Sequence, residues 1–390
     1  MNYYLKELAE VELPQGYAYY ELSHLISAAS KSNIEQVEEV LEEADLGLDI
    51  SSLEGFTLAL TERKFCMVND ILSGDIDALK RLAEFIRRKY QDIHSQEIVT
   101  KLYIKLAKLG DAEAMFSLYK IYEKEMEFDL SNDFLFEAAL SGNADAMLQL
   151  GFDFENNGRY EEANKWYRKS AESAESGNSS AMGNLAYNLY IGRGTNPDRK
   201  KAIEWCKASA ELGSSRSMFN LGQMLTDDKS TEVEQNQSFF WFEQAAKSGH
   251  LGAMHKIGNI FADGEEVTQD LEQAKHWYEM AANDGSVEAM FCLGLLYTEH
   301  PTIADDESAK YWYGKAVENS DDRAMNNLAI LLSEGEEWHQ INAESQSLFA
   351  QAADLGNQNA IKNLIEILNT RSDEENLQKA NEYKNILQKA

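Results

Sequence analysis

The stretch AMHKIGNIFADGEEVTQDLEQAKHWYEMAANDG, Ala253 to Gly285, decides the fold. In its first half Ala253, Met254, Ile257, Gly258 and Phe261 recur at the i, i+3, i+4, i+7 spacing of a single helical face. After an acidic loop, Ala274, Trp277, Tyr278, Ala281 and Ala282 make a second such face. Gly285 stands just past its end, where a left-handed capping residue is wanted. The stretch therefore predicts two antiparallel helices joined by a turn. Trp277, a large ring among small residues, is expected to fill the gap between neighbouring pairs, so that Trp277→Ala costs roughly 3 to 5 kcal/mol. Gly258 gives up about 1 kcal/mol of helix propensity to let the partner helix come close.

Most of the chain repeats this unit. The Ala-Met opening returns at Ala114-Met115, Ala146-Met147, Ala181-Met182, Ala289-Met290 and Ala324-Met325, and in degenerate form at Ala78-Leu79, Ser217-Met218 and Ala360-Ile361. The aromatic of the second helix recurs at Trp166, Trp205, Trp241 and Trp312, and weakens to Leu102, Phe134, Leu348 and Tyr383. Nine helix pairs result, at intervals of 32 to 36 residues that only a repeat holds so steadily. Two departures stand out. A three-residue excess at Ser173 to Ser176 predicts a local irregularity, and Ser320 replaces the closing glycine of its unit, which predicts a weaker cap.

The totals agree with a helical array. A chain of 390 residues with only 3 Pro and 44% hydrophobic residues leaves little room for linkers or strands, and a stacked repeat escapes the size limit of a single core. Met1 to Leu25 shows no basic segment followed by an apolar run, and no eighteen-residue apolar stretch occurs, so a cytoplasmic protein without membrane contact is expected. Cys66, Cys206 and Cys292 are single and far apart, which fits buried thiols in a reducing compartment rather than a disulfide framework. The net charge of -31 repels nucleic acid and anionic membrane and attracts basic protein, although it also serves plain solubility.

Residues 1–73 lack the unit. Ala28-Ala29, Asn33, Glu35, Val37 and Leu41, followed by Gly55, Thr57 and Leu58, resemble an ankyrin repeat and a half, or a generic helical cap. Thr57-Leu58-Ala59-Leu60 stands where that family has Thr-Pro-Leu-His. Residues 74–390 resemble the Sel-one-like repeat proteins, relatives of the tetratricopeptide repeats. The resemblance is carried by Ala-x-x-x-Leu-Gly, by Gly192-x-Gly194 and by Lys-Ala-x-x-Trp-Tyr-x-x-Ala-Ala in order. It implies an all-α fold, a right-handed solenoid superhelix with first helices on the concave face, and an adaptor or scaffold role. The cysteine-stapled branch of that family is not matched. Leu377, Ala380, Tyr383 and Leu387 complete the last helix without a polar cap, an apolar end through which dimerisation is expected.

Chemistry is sparse. His250 and His255 are five apart, and His24, His94, His276, His300 and His339 have no His or Cys at ligand spacing, so no metal site is read. Gly192-Arg193-Gly194 lacks the strand and the Gly-Lys-Ser/Thr of a phosphate loop and reads as a turn. No cofactor or catalytic cluster is predicted, and the expectation is a non-enzyme. The variable positions of the first helices, placed on the concave face by analogy with the tetratricopeptide groove, are Phe116, Phe152, Tyr187, Tyr190, Phe219, Gln223, His255, Asn259, Phe291 and Asn326. Aromatics there suit binding hot spots, or else packing between units. Between the helices lie acidic loops with Asp227, Asp228, Glu265, Glu266, Asp305, Asp306, Glu336 and Glu337, either an acidic edge that steers a basic partner or ordinary solvated loops. The leading expectation is a protein–protein interaction scaffold that holds a peptide or small protein in its groove. The alternatives are a cytosolic immunity protein that neutralises a basic bacterial toxin such as a nuclease, and a hydrolase of the same family, which the missing catalytic cluster disfavours.

Overall fold

A computed structural model describes residues 76–89, 93–173, 177–226, 232–264, 267–333, 341–370 and 374–389. The ankyrin-like segment lies outside them. The described residues form eighteen α-helices and no strand, an all-α solenoid of successive helix pairs, eight of which lie wholly within one unit. They belong to two units, Met1–Asp153 and Phe154–Ala390. In the first lie α1 (Ile76–Lys89), α2 (Ile93–Lys108), α3 (Ala112–Lys124) and α4 (Phe128–Leu140), each packed on the next. Helix α5 (Ala144–Asn156) spans the division.

The second unit continues with α6 (Tyr160–Glu172), α7 (Ser179–Ile191), α8 (Arg199–Glu211), α9 (Ser215–Met224), α10 (Glu232–Lys247) and α11 (Leu251–Asp263). It ends with α12 (Leu271–Asn283), α13 (Val287–Glu299), α14 (Asp306–Glu318), α15 (Asp322–Leu332), α16 (Ala343–Asp354), α17 (Gln358–Thr370) and α18 (Glu374–Lys389). From α6 onwards each helix packs on its successor, as expected for a solenoid whose repeats touch only their neighbours.

Local chemistry sets the helix ends. From α3 onwards the residue three before the anchoring Ala caps the first helix by accepting the Ala N–H, as Asp111 does at 2.8 Å, Asn178 at 3.1 Å, Ser286 at 3.3 Å and Asp321 at 2.8 Å. His250 does the same through Nδ1 at 3.1 Å, the one imidazole among these caps. The preceding second helices close on a left-handed residue, Gly285 at φ 95° being typical, and Ser320 takes that conformation at φ 63° despite its Cβ. Helix α6 ends differently. Its last turn runs into Ser173 in an extended conformation, and the inserted residues 174–176 fall outside the described ones.

The core corrects one expectation. Trp277 is only half-buried, as are Trp166, Trp205, Trp241 and Trp312. The buried ring belongs to the next residue: Tyr167, Phe242, Tyr278, Tyr313 and Phe349 are all buried. Gly258 faces that ring rather than a helix backbone, since a Cβ there would lie 2.4 Å from Tyr278 Cε1. Gly222 meets Phe242 at 2.6 Å and Gly294 meets Tyr313 at 2.3 Å in the same way. Where Cys206 takes the ring's place, the glycine's place holds Ala186, and both are fully buried. The two positions exchange volume to keep the packing full.

Candidate functional site: the exposed face of the first helices

The residue after the anchoring Met reaches towards the next first helix. Phe219 on α9 stacks on the imidazole of the α11 cap, His250, with ring centroids 4.5 Å apart. Phe291 on α13 lies under the Arg323 guanidinium of α15 at 4.4 Å. Asn326 Oδ1 accepts from Asn363 Nδ2 of α17 at 3.0 Å. His255 Nε2 on α11 lies 3.3 Å from Cys292 Sγ on α13. Four of the expected groove residues thus join successive repeats, and Asn326 is buried.

The position four further along lies on a freer face. Tyr187 and Gln223 are exposed, with the Arg193 guanidinium 5.8 Å from the Tyr187 ring. Asn259, half-buried, accepts the Tyr278 hydroxyl at 2.6 Å. The same position in α13, α15 and α17 carries Leu295, Ile330 and Glu366, of which the last two are exposed. Tyr190 is half-buried. In the first unit Phe116 is buried, stacked on Tyr119 at 5.5 Å with Lys120 Nζ 4.2 Å above it, and Phe152 is half-buried.

Arg216 and Arg323, exposed in the first turns of α9 and α15, share this face but were not among the sequence candidates. A signal was available: both stand two residues before the Met. Arg323 also pairs with the buried cap Asp321 at 2.5 Å, which ties its position to the helix start.

The His255–Cys292 pair invites a nucleophile reading, and the electrostatics oppose it. Burial pushes the Cys292 thiol up to about 11 and holds the His255 imidazole below its ordinary value, so both are neutral near pH 7. A thiol that far from ionisation is a poor nucleophile. Among the described residues, no group of three or more His, Cys, Asp or Glu side chains could hold a metal ion.

Of the acidic-loop residues, Asp305 and Asp306 are described. Both are exposed at the start of α14, where Ser308 Oγ donates to Asp305 Oδ2 at 2.5 Å. Asp227, Asp228, Glu265, Glu266, Glu336 and Glu337 lie outside the described residues. No helix among the described residues is long and apolar enough to cross a membrane.

No curated protein is similar enough to this chain to count as a match. Among solved structures, a protective antigen of uropathogenic Escherichia coli that displays an SLR fold is 24% identical. It superposes with a TM-score of 0.69 over 82% of this chain and 70% of that chain. A Sel1 repeat protein from Oxalobacter formigenes is 26% identical, with a TM-score of 0.52 over 62% of this chain and 99% of that one. The Sel1 repeat model matches residues 144–174, 179–214, 215–250, 252–286, 287–321 and 322–357. With more than half of its length matched by six consecutive repeats, the chain belongs to the Sel1 repeat family.

Proposed function

We propose that this protein is a non-catalytic scaffold that binds a peptide or small protein across the exposed positions of its first helices in the second unit. One observation carries the reading. The framework of Met, Leu, small residue and buried ring is nearly constant, while the exposed position five after the Met changes chemistry from Tyr187 to Gln223, Ile330 and Glu366. Constant packing beneath a varied surface is what selective recognition needs. Arg216 and Arg323 add guanidinium groups to that surface in a strongly acidic chain.

A photo-crosslinking residue placed singly at Tyr187 or Gln223 of the full chain tests this in the native cell. Adducts of one discrete mass from both positions, and none from a control at the exposed Lys165 of α6, support the reading. No adduct, or the same set from all three positions, defeats it.

The narrower reading, occlusion of a basic bacterial toxin, draws on the net charge of -31. It requires an affinity that falls steeply with salt and with charge reversal at Glu265 and Glu266. Indifference to both excludes it. The exposed Leu377 and Ile386 of α18 support self-association through that helix, which sedimentation of the full chain measures directly.

A further inference from the structure

Helix α4 departs from the other second helices. Its buried side, with Phe134, Leu135, Ala138 and Ala139, packs on α3 as the repeat requires. Its opposite side carries Phe128 at 61% exposure, Phe136 at 42% and Leu140 at 56%, with exposed Asn132 between them. Steps of four residues along a helix make a slowly turning stripe, here about 18 Å long at the rise of an α-helix. Second helices in the other unit carry at most single exposed rings in mid-helix, Phe240 of α10 and Tyr311 of α14, beside charged residues such as Lys165 of α6 and Lys201 and Lys207 of α8.

The turn before α4 extends the stripe. Met126 is 76% exposed and takes a left-handed backbone conformation at φ 62°. Its N–H reaches Glu123 O at 3.2 Å and the Glu127 N–H reaches Tyr122 O at 2.9 Å, the paired bonds of a helix-closing turn. The corresponding turn after α5 uses Gly158 at φ 73°. A side chain at such a position is unfavourable for an L-residue, and this one projects a methionine into solvent. The strained position thus sets an apolar side chain on the surface at the start of the stripe.

Charge says what the stripe takes. Glu125, Glu127, Asp129 and Asp133 border it, all exposed, and α4 contains no Lys or Arg. None of these four, nor Glu137, joins an ion pair among the described residues. One Glu137 oxygen is buried without a hydrogen-bond partner. Several other second helices pair their acids, as in Lys165–Glu161 at 2.8 Å, Lys247–Glu243 at 2.9 Å and Lys315–Glu318 at 2.9 Å, whereas α16, like α4, carries no Lys or Arg. Lys120 and Lys124 precede the turn, and no Lys or Arg follows until Arg159.

We propose that the stripe Met126, Phe128, Phe136 and Leu140 is a docking surface for a basic amphipathic helix of a partner protein, its apolar side on the stripe and its Lys or Arg side chains against the acidic border. Other occupants meet like charge. A second copy would bring the same carboxylates, and residues 1–75 of this chain are themselves rich in Asp and Glu with few Lys or Arg. The surface belongs to the first unit and does not depend on the first-helix face described above.

The test uses the full chain and a synthetic 18-residue Leu/Lys amphipathic helix, with a scrambled peptide of equal composition as control. The helix should bind at least tenfold tighter than the scramble, and Phe128→Ser with Phe136→Ser should remove that advantage. Asp129→Lys with Asp133→Lys should weaken binding most at low salt. Met126→Gly should lower affinity while leaving the melting temperature unchanged or higher, which separates docking from packing. Equal binding of helix and scramble, or variants that bind like the parent, overturns the proposal. So does self-association of the parent that the same substitutions abolish, because the occupant is then a second copy.

Discussion

Gly258 and Tyr278 are locked across one helix pair: a Cβ at residue 258 would sit 2.4 Å from the Tyr278 ring, a separation that Cβ atoms do not tolerate. The ring is buried, and its hydroxyl donates to Asn259 on the same first helix at 2.6 Å. Gly258→Ala is therefore expected to destabilise by about 1 to 3 kcal/mol despite the better helix propensity of Ala. The pair Ala186 and Cys206 shows the permitted exchange, so Gly258→Ala with Tyr278→Cys should cost less than the sum of the single changes. A double-mutant cycle on urea midpoints measures the coupling.

The imidazole cap makes stability sensitive to acid. His250 Nδ1 must be unprotonated to accept the Ala253 N–H, and it faces a helix N-terminus with Arg216 nearby. Burial first, and Arg216 as a lesser cause, hold its proton affinity below the ordinary value near 6.5. The unfolded chain then binds a proton that the folded chain refuses. Stability from this group is complete above about pH 6.5 and declines as pH falls from there through the lowered folded value. His250→Asn keeps a capping oxygen and should flatten that part of the curve of urea midpoint against pH. His255, also lowered by burial, contributes in the same sense, so His250→Asn removes only part of the slope.

Ser320 holds a left-handed backbone between α14 and α15, with its N–H on Val317 O at 2.8 Å and the Asp321 N–H on Ala316 O at 3.1 Å. These bonds need the conformation but not the side chain. Ser320→Gly should raise stability by roughly 1 kcal/mol, seen as a higher melting temperature. An unchanged or lower value would mean that the hydroxyl has a role of its own.

Phe219 and Gln223 lie one helical turn apart on α9 and should behave differently. Phe219 packs on His250 and lies 5.7 Å from the Phe242 ring, so Phe219→Ala should cost about 2 to 4 kcal/mol. Gln223 is exposed, and Gln223→Ala should stay within about 0.5 kcal/mol. If the two changes have equal effects on thermal unfolding, the division between linking and free positions is wrong.

Much of this protein is legible in its sequence. Repetition at a steady interval shows the helix pairs, because each unit buries its face only against its neighbours. Helix ends are also readable, since a capping side chain and a closing glycine act within a few residues of each other. Ser320 is an instance: its missing glycine is visible in the sequence, and the left-handed turn is there in the structure.

Two matters needed the tertiary structure. Trp277 and Tyr278 are adjacent and both fall within the apolar side of α12, so periodicity alone cannot say which ring enters the core. The approach of Gly258 on α11 selects the tyrosine. Likewise Phe219, His255, Phe291 and Asn326 occupy variable positions that read either as a groove or as packing between units. In the structure each of them contacts a residue of the next first helix. Local sequence sets which side of a helix is apolar, whereas the packing angle between helices, fixed by many side chains at once, sets what that side meets.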